Sequence, residues 1–260
     1  MLDGPSKFGL TGKVALITGA GPGMGRSIAI GFAAAGAEVV ICSRSPLRLA
    51  GIANEIAELG GSAFPVSCDV SKPEDLIRLH DQAIGRNGRI DVLVNCAFAG
   101  PSLADIEAAS SASLSREDWR RCFEVNVYAP FSLSHLVAPG MIAHGRGSIV
   151  NMISDAADFP DFACGIAYGA SKAALAAQTR YLAKELGPQV RVNALCPGLM
   201  TPDGSIADYA RNLVAALPLE RAGHCDEIVG AALFLASDAS SYMTGEVLRC
   251  DGGRLHARRT

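Results

Sequence analysis

Two residues with acid–base chemistry, Tyr168 and Lys172, stand four positions apart among small residues. On a helix, positions i and i+4 share one face about a turn apart, so the spacing predicts neighbouring side chains. A free tyrosine has a pKa near ~10, and a nearby ammonium lowers it by favouring the phenolate. The pair therefore predicts a tyrosine that moves a proton and a lysine that tunes it, although ordinary helix surfaces also produce this spacing.

A glycine-rich run follows the apolar segment Val14 to Ile17 and precedes a helical pattern. Glycine is needed where the backbone turns sharply or approaches a pyrophosphate, and a helix N-terminus attracts phosphate. A structural turn without a ligand is the alternative, but the position between strand and helix favours a dinucleotide site. The predicted contacts are Gly19, Gly21, Gly23, Met24 and Gly25.

The end of the second predicted strand, Glu38 to Cys42, is where an adenosine ribose would lie. A carboxylate there binds the 2′-hydroxyl of NAD, but the chain continues with Ser43 and Arg44. Arg44 is able to pair with a 2′-phosphate and Ser43 to hydrogen-bond to it, which favours NADP(H) and leaves NAD(H) possible. The alternative is a solvated loop cation beside a turn serine.

Short apolar runs alternate with longer helical patterns along the chain, which predicts a parallel sheet covered by helices. The predicted strands are Val14–Ile17, Glu38–Cys42, Ala63–Ser67, Asp91–Asn95, Gly147–Met152, Val190–Leu195 and Val247–Cys250. The predicted helices are Gly25–Ala35, Pro46–Leu59, one opened by a capping box at Ser71 and Glu74 and ending at about Ile84, a mostly helical segment Arg116–Ala143, Ala167–Leu186 and Asp226–Ala236. The expected fold is α/β: a doubly wound Rossmann fold, with a seven-stranded parallel sheet and helices on both faces, in one domain over 1–260.

Composition narrows the class of protein. The chain has 260 residues, 49% hydrophobic content and a net charge of −3, so no basic footprint for nucleic acid is expected. Its eight cysteines form no C-x-x-C pair and its five histidines show no metal-ligand spacing, which predicts buried thiols in a reducing compartment and no metal site. No signal peptide and no apolar run of membrane-spanning length is seen, so we expect a soluble cytoplasmic protein.

Motifs over about residues 10–253 resemble those of the short-chain dehydrogenase/reductase family. They are Thr18-Gly19-x-x-x-Gly23-x-Gly25, Cys68-Asp69-Val70, Glu124-Val125-Asn126-Val127, Ile149-Val150-Asn151 with Ser154, Tyr168 with Lys172, Pro197-Gly198, and Asp251-Gly252-Gly253. The resemblance implies that Tyr168 exchanges the proton, Lys172 tunes it and binds the nicotinamide ribose, Ser154 hydrogen-bonds the substrate oxygen, and Asn126 holds a relay water. It also implies cofactor contacts from Asp69, Val70, Asn95, Ala97, Pro197, Gly198, Leu199 and Thr201.

Three departures from the family pattern bear on the site. Phe98 replaces a glycine and either lies near the nicotinamide, floors the pocket, or is a core aromatic. The segment from serine to tyrosine is one residue longer than usual, so Asp155 stands at the commoner distance; we keep Ser154, because a carboxylate would repel the developing alkoxide. Thr201 lies one position closer to Pro197-Gly198 than usual, at the start of a predicted lid over about residues 199–217.

Three functions remain open at this point. The leading hypothesis is hydride transfer between NADP(H) and a ketone or secondary alcohol. The alternatives are a 3-oxoacyl thioester reductase, which would need a basic patch for its carrier, and a catalytically silent cofactor sensor. The acids in 155–161 either favour a polar or cationic substrate or simply face solvent, and the resemblance implies a homotetramer built partly through the helices 116–143 and 167–186.

Overall fold

The structure, a computed structural model, describes residues 5–100, 115–159, 165–206 and 210–256. Its strands are Val14–Thr18 (β1), Glu38–Ser43 (β2), Ser62–Ser67 (β3), Val92–Asn95 (β4), Gly147–Met152 (β5), Val190–Pro197 (β6), Met200–Thr201 (β7), Gly223–His224 (β8) and Val247–Cys250 (β9). Seven of them pair in parallel in the order β3-β2-β1-β4-β5-β6-β9. The predicted doubly wound, Rossmann-type fold is confirmed.

Helices cover both faces of this sheet. They are Met24–Ala34 (α1), Pro46–Glu58 (α2), Pro73–Asn87 (α3), Arg116–Phe123 (α4), Ala129–Ala143 (α5), Ile166–Leu186 (α6), Arg211–Ala216 (α7) and Val229–Ala236 (α8). Side chains of α1, α2 and α8 form one buried cluster with the sheet, and those of α3, α5 and α6 form another. Successive strand residues point to opposite faces, so Ile17 joins the first cluster and Leu16 the second.

One local expectation about the helices was wrong, and another held with an unpredicted detail. The segment Arg116–Ala143, predicted to be mostly helical, is helical throughout but contains a wider π-helical turn at Glu124–Tyr128, between α4 and α5. Such one-turn widenings are frequent at functional sites. The predicted capping box is absent, because Pro73 opens α3 and Lys72 precedes it. Ser71 instead donates through its hydroxyl to Asp69 Oδ1 at 2.7 Å.

The segment predicted as a lid contains β7, the first strand of an unpredicted two-stranded sheet. Its strands β7 and β8 have two residues each, too few for their pattern to stand out in the sequence. The lid also contains α7, while residues 207–209 lie outside the described part. Leu199, Leu217 and Asp251 are among the residues that line a cavity of about 390 Å³ beside it.

Candidate active site

The structure brings Tyr168 and Lys172 together at the start of α6. Tyr168 is half-buried in the first turn, and Lys172 one turn later is 2% exposed. The Nζ atom of Lys172 lies 5.7 Å from the centroid of the Tyr168 ring and donates a 2.7 Å hydrogen bond to the carbonyl of Met152, at the end of β5. The ammonium is therefore held in one position beside the phenol.

Burial determines the protonation of Lys172. Removal of the ammonium from water lowers its pKa from 10.5 to about 8. Lys172 thus remains mostly charged at neutral pH, where a cation beside a phenol favours the phenolate. It also lies close enough to neutrality to take part in proton exchange.

Ser154 lies two residues beyond β5 and is 8% exposed. Its Oγ accepts from the amide of Ala156 at 3.2 Å and donates to Asp155 Oδ1 at 3.2 Å. Helix α6 packs on this turn at Gly169, where an added Cβ would meet the carbonyl of Ala156 at 2.8 Å. Gly169 therefore allows the close approach of the tyrosine helix to the serine turn, a role that the sequence signalled only as a run of small residues.

Asn126 lies in the π-helical turn and is completely buried. Its amide donates to the carbonyl of Ala99 at 2.7 Å and its Oδ1 accepts from the amide of Ala99 at 2.8 Å. The same amide donates to Ser171 Oγ at 2.9 Å, and Ser171 donates to the carbonyl of Tyr168 at 2.7 Å. Asn126 thus fastens the loop after β4 to the tyrosine helix, a link through Ser171 that the sequence did not reveal.

Phe98 is on that loop and is 66% exposed, so it is not a core aromatic. Its ring meets the Tyr168 ring edge-on, with 6.5 Å between centroids and an interplanar angle of 76°. Gly100 lies on the same ring, since a Cβ there would be 3.1 Å from Tyr168 Cδ2. The departure from the family pattern therefore puts an apolar surface next to the candidate acid.

The loop between β1 and α1 has the features of a phosphate cradle. Gly19 has φ +70°, and a Cβ there would lie 2.6 Å from the backbone of Ala97. A Cβ on Gly25 would lie 2.2 Å from the carbonyl of Gly19. Gly23 precedes α1 with φ 146° and no side chain caps the helix, so the N-terminus at Met24 is available to an anion.

The ends of the neighbouring strands contribute the other predicted adenosine contacts. Ser43 is half-buried and Arg44 exposed at the end of β2. Asp69 is half-buried and holds Ser71, while Val70 is 9% exposed. These side chains border one edge of the sheet, on the side of β1 opposite to β4.

Asn95, predicted to contact the cofactor, lies at the end of β4 with its side chain inside the sheet. It is 2% exposed, and its amide donates to Asn151 Oδ1 on the adjacent strand at 2.8 Å. Its side chain therefore stabilises the pairing of β4 with β5. Ala97 is the member of this motif that reaches the phosphate loop, where Thr18 Oγ1 accepts its amide at 3.1 Å. Thr18 was not among the predicted site residues.

The segment after β6 offers a vacant hydrogen-bonding group. Pro197 ends the strand, and a Cβ on Gly198 would lie 2.8 Å from Asp251 Cα. Leu199 lines the cavity described above. The hydroxyl oxygen of Thr201 is buried and has no hydrogen-bond partner among the described residues. An orphaned buried hydroxyl is costly unless something binds it, so Thr201 fits the predicted carboxamide contact.

The two described acids after Ser154, Asp155 and Asp158, each lie against an arginine. Asp158 forms an ion pair with Arg249, and Asp155 Oδ2 lies 3.9 Å from Arg254 Nε. Both cations come from the C-terminal end of the sheet, so the pairs tie that region to the serine turn. Asp161 lies outside the described residues.

Comparisons with known proteins agree with this geometry. The family model described as Enoyl-(Acyl carrier protein) reductase matches residues 19–254. The 7alpha-hydroxysteroid dehydrogenase of Escherichia coli (strain K12) is 38% identical over 250 residues, 94% of each chain. Two solved structures are similar: a 7 alpha-hydroxysteroid dehydrogenase complexed with NADH and 7-oxo glycochenodeoxycholic acid (37% identity, TM-score 0.88, 96% of this chain and 97% of that one), and a gluconate 5-dehydrogenase from Burkholderia cenocepacia J2315 with NADP and tartrate (32%, 0.87, 97% and 99%).

The chain belongs to the short-chain dehydrogenase/reductase family. It is therefore an oxidoreductase that uses a nicotinamide cofactor on CH–OH or C=O groups, as predicted. The loop at Gly19 and the orphaned hydroxyl of Thr201 fit such a cofactor. Within the described ranges, no helix combines the length and apolarity that crossing a bilayer requires.

Proposed function

We propose that the chain transfers hydride between NADP(H) and a ketone or secondary alcohol, with Tyr168 as the general acid/base. The observation that carries this proposal is the buried Lys172, whose ammonium lies 5.7 Å from the Tyr168 ring centroid and is held by the Met152 carbonyl. A buried lysine fixed beside a half-exposed tyrosine has no evident structural purpose. It is well suited to control the proton of that tyrosine.

The protein residues divide the work as follows. A bound nicotinamide would supply or accept the hydride, and the phosphate loop, Lys172 and Thr201 would hold it in place. During reduction, Tyr168 donates its proton to the carbonyl oxygen while Ser154 hydrogen-bonds the developing alkoxide. Asn126 keeps the loop after β4 in place and contributes to the proton relay behind Lys172.

The charge at the end of β2 supports NADP(H) over NAD(H). Ser43 and Arg44 stand where a carboxylate would select the 2′-hydroxyl, and the exposed guanidinium is free to meet a 2′-phosphate. The Michaelis constants for NADPH and NADH test this choice. A clearly lower KM for NADPH is expected, and equal values or a preference for NADH would exclude it.

Ketones and secondary alcohols are the substrates that we favour. Phe98 puts an apolar ring next to Tyr168. Two cations beside the serine turn, Arg249 and Arg254, are paired with acids, so they do not form the basic patch that an acyl carrier would need. The family model's description names an acyl carrier protein, which keeps a 3-oxoacyl thioester reductase as the second candidate. Comparing a 3-oxoacyl thioester with plain ketones at equal concentration separates the two.

The decisive experiment is turnover of a panel of ketones and alcohols, scored by NADPH or NADH absorbance. Tyr168→Phe should abolish the activity, a loss of roughly 10²- to 10⁴-fold expected for a general acid. Tyr242→Phe is the matched control, because Tyr242 is fully exposed and lies outside the candidate site. No turnover by the wild type on any substrate would favour the cofactor-sensing alternative.

We further propose a cytoplasmic homotetramer of single-domain chains. Large apolar side chains remain exposed on α5, α6 and the π-helical turn, including Tyr128 at 55%, Phe131 at 47% and Tyr181 at 76%. Exposed apolar groups on adjacent helices are typical of an interface. A monomer in light scattering would contradict the proposal.

A further inference from the structure

The hydroxyl of Ser154 already has a hydrogen-bond acceptor beside it, the carboxyl group of Asp155. Ser154 Oγ accepts from the amide of Ala156 and lies 3.2 Å from Asp155 Oδ1, an acceptor when ionised. A serine has one hydroxyl proton, so it donates its single hydrogen bond to Asp155 when that carboxyl group is ionised. A substrate oxygen that needs a donor from Ser154 must therefore compete with the neighbouring carboxylate.

The surroundings of Asp155 hold its carboxyl group against the serine. From the C-terminal segment, Arg254 Nε lies 3.9 Å from Asp155 Oδ2, and Asp251 accepts the amide of Arg254 at 3.3 Å. On β6, the pKa of the Cys196 thiol is raised mainly by burial, and the nearby charge of Asp155 acts in the same direction. On α6, the charged Lys172 donates to the carbonyl of Met152, which is two residues before Ser154. Tyr168 lies one helical turn before Lys172.

These surroundings favour the neutral form of Asp155 more than water does. Burial is the largest effect and raises the pKa of the carboxyl group above its usual range, and the charge of Asp251 acts in the same direction. The hydrogen bond from Ser154 and the charge of Arg254 oppose it. The neutral form thus persists to higher pH than for an ordinary aspartate.

We propose that Asp155 is a positioning residue. Its protonation state determines whether the hydroxyl proton of Ser154 points to the Asp155 carboxylate or to the substrate oxygen. A neutral Asp155 donates to Ser154 Oγ, which leaves the serine proton for the substrate. An ionised Asp155 captures that proton and also repels the developing alkoxide. The inference rests on the proposed function and adds a residue that the family pattern does not assign.

The test is the pH dependence of NADPH-driven ketone reduction. For the wild type, kcat/KM should fall as pH rises through the Asp155 transition. In Asp155→Asn the amide donates to Ser154 at every pH, so the fall should vanish and the rate above it should rise by roughly tenfold, less than the effect of a whole oxyanion donor. Asp155→Ala should also abolish the fall, with a lower kcat because nothing orients the serine.

Asp158→Asn is the matched control, because Asp158 lies in the same turn and pairs with Arg249. It should keep the wild-type pH profile, and circular dichroism should show that all three variants are folded. The inference would be overturned if the wild-type kcat/KM did not fall as pH rises through the Asp155 transition. It would also be overturned if the fall persisted in both Asp155 variants, or if it disappeared in Asp158→Asn. Abolition of turnover by Tyr168→Phe would leave the proposed function intact in each of those cases.

Discussion

The proton-transfer centre and the adenosine end of the cofactor site differ in how firmly the fold holds them. Lys172 and Asn126 are almost fully buried, and each donates to a backbone carbonyl at 2.7 Å. Arg44 is exposed, and Ser43 contacts Ser45 only through long hydrogen bonds of 3.4 and 3.5 Å. Substitutions in the first region should therefore change both rate and stability, while those in the second should change the choice of cofactor.

The largest effect should come from Lys172→Met, which keeps the length of the side chain and removes its charge. We expect kcat to fall by roughly 10²- to 10⁴-fold, because the proton donor loses its tuning cation. Lys184→Met is the control, since Lys184 is exposed near the end of the same helix. Stopped-flow and steady-state rates check this. A variant with near-normal kcat would show that Lys172 has only a structural role.

The same substitution should stabilise the fold at neutral pH. The pKa of Lys172 is lowered to about 8 in the native state, so the unfolded chain binds its proton more tightly. The cost of burying the ammonium is full below pH 8 and disappears as pH rises towards 10.5. Lys172→Met should raise the free energy of unfolding by up to about 3 kcal/mol at pH 7, less about 1 kcal/mol for the lost hydrogen bond.

Urea denaturation at pH 7 and pH 10 separates the charge effect from simple packing. The gain should shrink at the higher pH, since the wild-type lysine is then largely neutral in the native state. A gain that is equal at both pH values would mean that burial of the charge does not limit stability. Rate and stability would then have no trade-off at this residue.

A smaller effect is expected at the contact between α6 and the serine turn. Gly169→Ala puts a methyl group 2.8 Å from the carbonyl of Ala156, so the helix carrying Tyr168 must shift away from Ser154. Because misplacement by about 1 Å can cost 10²-fold, kcat should fall by roughly tenfold to 10²-fold with little change in KM for the cofactor.

Gly85→Ala provides the control for this steric effect. Gly85 is also helical, but an added Cβ there has no neighbour within 4 Å. It should leave kcat unchanged and stabilise the protein by up to about 1 kcal/mol through helix propensity. Equal kinetic losses in both variants would exclude a specific role for the contact at Gly169.

The sequence predicted the sheet well because its strands are continuous apolar runs with glycine boundaries. It also predicted the partnership of Tyr168 with Lys172, since helical spacing carries that information. The π-helical turn at Asn126 escaped prediction because residues on both sides of it have ordinary helical character. The link from Asn126 through Ser171 depends on contacts between residues 45 positions apart, which no local pattern encodes.

The smallest effect is expected for Arg44→Ala, at the exposed adenosine end of the cofactor site. Loss of one exposed cation that meets a 2′-phosphate should raise KM for NADPH by roughly fivefold to tenfold. KM for NADH should stay within about twofold, because NADH has no 2′-phosphate to lose a partner. Arg86→Ala, an exposed arginine in the last turn of α3, should change neither value. Equal increases in KM for both cofactors would mean that Arg44 shapes the loop, and no increase would mean that it is a solvated cation. In either case the adenosine end of the site would not determine which cofactor is used.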